Sequence, residues 1–303
     1  MKSRPAPSLS NSVVETTPAV AWVILSVLAH IWGSSFKLID VGLQVFSAVQ
    51  VASLRLASAF VVMVFLAIFH LRRVPKAKIK LLILVGFLGS FTPAFLFAAA
   101  QTEISSAIAG ILNSLTPLFT FIVGLLFFGQ KILWKKVLGL AVGLLGAVSL
   151  ILINPKGEIS FNAYALLVVL ATVCYACNVQ LTKNYLSGIK PLYISSISLS
   201  FVGFFALIYL LSTDFTTKLQ QEPQALTSFL SVFVLGVVGT AFALILFNRL
   251  LQLSSALFAS SVTYFIPIVA VLLGVYYGDE LSLWHILGML AIIMGVFVIN
   301  RNK

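Results

Sequence analysis

The sequence predicts an all-α integral membrane protein: ten transmembrane helices forming two inverted five-helix repeats, with both termini cytoplasmic. Three observations carry that prediction. Ten apolar stretches, each long enough to cross a bilayer, fill the 303 residues. The landmarks of the first half recur in the second. The Lys and Arg side chains fall on one side of the membrane so defined.

Composition sets the solvent. Hydrophobic residues make up 60% and charged residues 9%, with mean hydropathy +1.11. A soluble domain is nearer one half apolar and about one quarter charged. This chain has too little polar surface to face water, so lipid surrounds it. A β-barrel requires alternating ten-residue strands; the runs here are continuous over about 20 residues, which predicts helices. The 19 Gly and 10 Pro sit inside apolar runs, as membrane helices tolerate.

Residues 1–19 are polar, with Pro and Ser, and read as a disordered cytoplasmic tail. The apolar run that follows continues to about Val41, which favours a retained span over a cleaved signal peptide. The predicted spans are 20–41, 46–69, 78–100, 104–129 and 134–153, then 162–183, 190–212, 226–249, 254–278 and 283–300. The first repeat is thus 20–153, a loop covers 154–161, and the second repeat is 162–303. Connections are short, and the longest, Ser212 to Gln224, is a polar loop.

The internal repeat is legible at a shift of 150 residues: Gly86 falls on Gly236, Gly89 on Gly239, Ser105 on Ser255, Pro117 on Pro267 and Leu133-Trp134 on Leu283-Trp284. With a cytoplasmic N-terminus, fifteen Lys and Arg fall inside, from Lys2 and Arg4 through Arg72, Arg73 and Lys131 to Lys303, and only Lys156 and Lys218 outside. That bias sets orientation and accounts for the net charge of +11 without a nucleic-acid partner. Five spans per repeat is odd, so the copies cross in opposite senses. Lys131, Lys135 and Lys136 follow the fourth span, whereas Asp279 and Glu280 follow the ninth. Inverted repeats place a binding site near the midplane at their interface.

The first span holds Trp32-Gly33-Ser34-Ser35-Phe36, and Ser105-Ser106-Ala107 through Pro117 to Gly124 and Gly129 makes the fourth. The ninth repeats the latter as Ser254-Ser255-Ala256, Pro267, Gly274 and Gly278-Asp279-Glu280. In these stretches the chain resembles the EamA-type members of the drug/metabolite transporter superfamily, from about residue 20 to 300. The first copy departs from the family's Gly-Glu ending, reading Gly129-Gln130-Lys131. The resemblance implies a ten-helix inner-membrane carrier of small metabolites, often an exporter of amino acids or related compounds.

Polar groups inside lipid are costly and face the bundle interior. His30, Ser34 and Lys37 share one helix face by their i, i+4, i+7 spacing. His30 either relays a proton near neutrality or is neutral and bonded to a helix neighbour, and Lys37 either snorkels or meets a substrate carboxylate. Arg55, about nine residues into the second span, needs an anion, a carbonyl or water; Asp40 is its expected structural partner. Asn113-Ser114 and Thr263-Tyr264 lie one turn before Pro117 and Pro267. A proline there frees the carbonyl four residues earlier, of Asn113 and Thr263. These positions predict a substrate-binding layer of Trp32, Ser34, Asn113, Tyr175, Asn178, Thr263 and Tyr264, against the plainer reading that the polar groups only satisfy kinked backbone. Pro93, Pro117 and Pro267 are the expected kink or gating positions. Gln101 and Glu103 read as rim residues, and Gly139, Gly143 and Gly146 as a packing face.

Cys174 and Cys177 read as packing residues, since no further ligands accompany them. No catalytic residue, metal ligand set or cofactor is expected, and no phosphate-binding Gly-rich loop with Lys-Ser/Thr is present. The expectation is a non-enzymatic secondary transporter in the inner (plasma) membrane, a monomer or homodimer, carrying a small-molecule substrate by alternating access. Rivals are a nucleoside, sugar-nucleotide or quaternary-amine carrier, an intramembrane lipid-modifying enzyme and a non-transporting scaffold.

Overall fold

The computed structural model describes residues 18–130, 134–152, 162–278 and 281–301. The tail before residue 18, the 154–161 loop and the corner charges Lys131, Asp279 and Glu280 lie outside the described residues. Among the described residues ten long helical segments follow one another, with a short helix Phe215–Gln221 between the seventh and eighth: α1 Pro18–Leu43, α2 Ala48–Leu71, α3 Lys76–Ala100, α4 Ser106–Phe127 and α5 Trp134–Leu152, then α6 Tyr164–Tyr185, α7 Pro191–Leu211, α8 Ala225–Leu253, α9 Ala256–Tyr276 and α10 Leu283–Arg301. Eight of these are long and apolar enough to cross a membrane, and α5 and α10 carry shorter apolar cores. The large side chains left exposed, such as Phe65, Phe69, Leu145, Leu272 and Met294, are apolar. Such a surface suits lipid.

Local chemistry sets the helix ends. Ser47 caps α2 in a full capping box: its hydroxyl accepts from Gln50 N–H, and the Gln50 side chain accepts from Ser47 N–H. Ser105 and Ser255 cap α4 and α9 in the same way, accepting from Ile108 N–H and Phe258 N–H. They are equivalent positions in the two repeats. Gln101 is buried rather than on a rim: its amide donates to the Phe36 carbonyl at 2.9 Å.

Two pairs of helices are interrupted at matching places. α3 has a π-helical turn at Phe87–Phe91 and α8 has one at Val237–Phe242. α4 breaks after Asn113 and resumes at Thr116, while α9 passes through a 3₁₀ turn at Ser261–Tyr264. Pro117 and Pro267 enter the first turns of the resumed helices, where a missing N–H costs nothing. The freed carbonyls find hydroxyls. Thr116 Oγ1 donates to Asn113 O at 2.8 Å, and Ser114 Oγ crosses to donate to Thr263 O at 3.1 Å.

The packing exchanges the two halves. α2 packs on α7, α4 on α9 and α5 on α10; the α1–α8 contact has its mate in α6–α3, and α1–α9 in α6–α4. Backbone contacts refine the correspondence. A methyl group at Gly86 would stand 2.8 Å from the Ser198 carbonyl oxygen, and one at Gly236 would meet the Arg55 carbonyl. Spans α1 and α2 therefore match α6 and α7 at an offset of 143 (Arg55 to Ser198), whereas later spans match at 150 (Gly86 to Gly236). The difference is seven residues, the length of the extra helix Phe215–Gln221 between α7 and α8.

The α5–α10 pair sits to one side of the remaining bundle and packs through small residues. A Cβ at Gly146 would lie 2.7 Å from Gly288 O, and one at Gly295 would meet Gly139 O. The predicted Gly139, Gly143 and Gly146 face is thus a seam between two helices.

Candidate functional site

An internal cavity of about 90 Å³ lies between the two halves. Its lining comes from α1, α2, α3, α4, α6, α8 and α9. At roughly 10–15 Å³ for each water-sized sphere, it holds several waters or the polar end of a small solute. Its position is a consequence of the interrupted helices. The π turns contribute Gly89, Ser90, Gly239 and Thr240, and the breaks in α4 and α9 contribute Asn113, Thr116, Ser260, Val262 and Thr263.

Most of the lining comes in pairs that the two-fold exchanges. At the offset of 143, Trp32 matches Tyr175, Ser35 matches Asn178, and Phe36 matches Val179. At 150, Ser90 matches Thr240, Phe97 matches Phe247, and Asn113 matches Thr263. All twelve line the cavity. The aromatic contacts repeat as well: Trp32 lies against Phe247 with ring centroids 5.3 Å apart, and Tyr175 stacks on Phe97 at 6.1 Å. The Trp32 indole N–H donates to Gly239 O at 3.0 Å, within the α8 π turn.

Among the described residues, the one charged lining residue has no charged counterpart. Arg55 on α2 faces the cavity, and its two-fold mate Ser198 is buried and donates to Ile194 O at 2.7 Å. Arg55 Nε donates to Thr240 Oγ1 at 2.8 Å, and that hydroxyl donates onward to Leu235 O at 3.1 Å. Tyr175 lines the cavity beside the same guanidinium. Asp40 does not pair with Arg55 as expected. It takes Lys37 at 2.5 Å, one turn away on α1, because a residue near the helix end reaches its own i+3 neighbour more easily than a site buried on another helix. Among the described residues, the ion pairs are Lys37–Asp40 and Lys218–Asp214, and none involves Arg55.

Of the predicted layer, Trp32, Asn113, Tyr175, Asn178 and Thr263 line the cavity together. Ser34 does not. Its hydroxyl back-bonds to His30 O and Ile31 O, and Ser35 faces the cavity instead. His30 is exposed and its Nδ1 is bonded to Ser26 O at 2.9 Å, away from the cavity. Lys37 lies over the Tyr277 ring, 4.6 Å from its centroid, beside Asp40. Tyr264 is outside the lining, and its hydroxyl is buried with no hydrogen-bond partner among the described residues. Pro117, Pro267 and Pro93 are buried supports behind the lining.

The face chosen from sequence was off by one register. Trp32, Ser35, Phe36 and Ile39 line the cavity at i, i+3, i+4 and i+7. That spacing is as regular as His30–Ser34–Lys37. Arg55 stands out in the sequence as a charge inside a span, whereas Thr240 is marked by the cross-helix bond it makes with Arg55. Ser90 carried a usable signal, since it falls on Thr240 at the repeat shift.

The cavity is a mid-bundle chamber with one permanent cation, several hydroxyl and amide groups and aromatic walls. Among the described residues no Asp or Glu lines it, and no cluster of three or more His, Cys, Asp or Glu is placed to hold a metal. Its walls offer hydrogen-bonding groups, ring faces and one charge, and among the described residues they place no nucleophile beside a base.

Comparison with known proteins gives the same account of the whole chain. Residues 17–152 and 162–301 each match the EamA-like transporter family. The chain is 25% identical over 283 residues to a probable amino-acid metabolite efflux pump of Escherichia coli K12, covering 91% of this chain and 93% of that one. It is 26% identical over 294 residues to the uncharacterized inner membrane transporter YedA of the same strain, covering 92% and 90%. A solved crystal structure shares the fold at TM-score 0.64 and 16% identity, over 94% of this chain and 97% of that one. The two halves of the helical frame, the chamber between them and these matches place this multi-pass membrane protein, a transporter rather than an enzyme, in the EamA-like transporter family.

Proposed function

We propose that the protein is a secondary transporter that exports amino acids or closely related small metabolites across the inner membrane by alternating access. In this reading ten spans form two inverted five-helix repeats, both termini are cytoplasmic, and the cavity is the substrate site. The observation that carries it is the pairwise origin of the lining. A site built from equivalent residues of two repeats can be exposed to either side by rocking one half against the other. The relatives whose names include amino-acid efflux support the substrate class at about one quarter identity. The absence of a lining acid among the described residues, and the position of His30 outside the cavity, favour a facilitator or exchanger over proton coupling.

The test is counterflow in liposomes holding the purified protein, with radiolabelled amino acids, nucleosides and quaternary amines, and with pH gradients of both signs. Saturable amino-acid flux, lost in Asn113→Ala and insensitive to the gradient, is the expected result. Flux confined to nucleosides or quaternary amines transfers the site to that class. Flux that follows the gradient overturns the facilitator reading.

A further inference from the structure

The frame of the cavity obeys a two-fold, and its charge does not. That mismatch is informative, because duplicated helices would otherwise bring duplicated chemistry. Arg55 and Ser198 hold equivalent backbone positions, each with its carbonyl against a glycine of the neighbouring span, Gly236 or Gly86. On the Ser198 side the hydroxyl is consumed within its own helix. On the Arg55 side a permanent cation stands at the wall of a chamber between membrane helices.

An arginine in such a place is costly unless an anion, carbonyl or water compensates it. The protein supplies part of the compensation. Thr240 Oγ1 accepts from Nε, and Tyr175 meets the guanidinium. Both are neutral groups, and among the described residues no carboxylate pairs with Arg55. The bond to Thr240 holds the Nε edge of the guanidinium, Tyr175 stands beside it, and the charge stays uncompensated on the cavity side. A planar fork held in this way matches a carboxylate in two parallel hydrogen bonds.

Resting on the transporter reading above, we infer that Arg55 is the specificity residue of the cavity, binding the carboxylate of a small monocarboxylate or zwitterionic substrate, with Tyr175 and Thr240 as its positioning residues. The charge count selects the class. One guanidinium neutralises one carboxylate. Among the described residues no second cation lines the chamber, so a phosphate or a dicarboxylate would leave an excess negative charge, whereas the ammonium of a zwitterion is left to ring faces and amide oxygens. The remainder of the substrate lies toward Trp32, Phe97 and Phe247 and the carboxamides of Asn113 and Asn178, which accept an ammonium group through ring faces and amide oxygens. The single cation also fixes orientation: the acid end points to α2 and α8, and the substrate cannot bind reversed about the two-fold.

The experiment is counterflow in proteoliposomes of the full chain, comparing each labelled L-amino acid with its carboxamide and with the decarboxylated amine. Wild type, Arg55→Lys, Arg55→Gln and Tyr175→Phe are measured, each after a size-exclusion profile and a thermal melt. The expected wild type moves the carboxylates and discriminates against carboxamides by about tenfold or more in KM, the scale of a lost hydrogen-bonded charge partner. Arg55→Gln abolishes that discrimination, Arg55→Lys restores part of it, and Tyr175→Phe raises KM for carboxylates alone. A residue needed only for folding would lower all fluxes together and leave the carboxylate-to-carboxamide ratio unchanged, and that result overturns the inference. Should Arg55→Gln not fold, Tyr175→Phe with an unaltered ratio does the same. Wild-type flux of carboxamides, nucleosides or quaternary amines without preference for carboxylates overturns the anchor and leaves the transporter reading standing. No saturable flux of any probe overturns the transporter reading, and this inference with it.

Discussion

At the residue scale, the useful distinction is between polar groups that face the chamber and those that close on their own helix. Trp32 belongs to the first kind. Its indole N–H ties α1 to the carbonyl of Gly239 in the α8 π turn, and its ring forms part of the wall. Trp32→Phe keeps the ring and removes the bond. The expected outcome is a loss of about 1 kcal/mol, the net worth of one such bond, read by thermal unfolding, with a raised KM in counterflow. Lys37 belongs to the second kind. Its pair with Asp40 is partly exposed, with side-chain accessibilities of 17% and 39%, and surface pairs contribute little. Lys37→Gln should therefore leave KM within about twofold; a large rise would bring the outer end of α1 into the substrate path.

At the element scale, the interruptions of α3, α4, α8 and α9 do the positioning. A π turn displaces one carbonyl from the helical ladder, and in α8 the Thr240 hydroxyl takes up Leu235 O and then receives Arg55. The breaks before Pro117 and Pro267 leave Asn113 and Thr263 carbonyls that hydroxyls recapture. These turns are local departures stabilised by side chains of neighbouring helices, so the chamber and its frame form one unit. The α5–α10 pair is different. Its seam depends on backbone approach at Gly295, where a side chain would collide with Gly139 O. Gly295→Leu should cost about 1–3 kcal/mol through overpacking and lower the melting temperature. Because neither helix lines the cavity, KM measured on the folded fraction should stay near the wild-type value.

At the scale of the whole molecule, the proposal depends on opposite orientation of the halves, which site-directed labelling tests. In a background with Cys174 and Cys177 replaced by Ala, cysteine is placed at Gly188, between α6 and α7, or at Tyr277, after α9. Both positions are exposed at helix ends: nothing lies within 4 Å of a Cβ at Gly188, and Tyr277 is 58% exposed. The expected result is that a membrane-impermeant thiol reagent on intact cells reaches the Tyr277 position and not the Gly188 position. Labelling of Gly188→Cys from outside would reverse the orientation, and labelling of both would break the topology.

The sequence by itself determined the solvent, the helices and the repeat. Those follow from patterns along the chain: apolar runs of bilayer length, serine caps, prolines and glycines recurring at one shift. It also carried the identity of five lining residues: Asn113 and Thr263 because each lies one turn before a repeated proline, and Trp32, Tyr175 and Asn178 because they are aromatic or polar groups set deep in apolar spans. Three things were decided only by tertiary structure. The lining face of α1 is the Trp32–Ser35–Ile39 face, since two equally regular polar stripes share that helix and only packing against α8 and α9 chooses between them. The partner of Arg55 is Thr240 with Tyr175 and not Asp40, since the α2–α8 contact at Gly236 sets what the guanidinium reaches. The offset of the first two spans is 143 and not 150, since the Phe215–Gln221 helix is absorbed outside the frame. In each case the deciding quantity is the distance between side chains far apart in sequence, which no periodicity along a single helix contains.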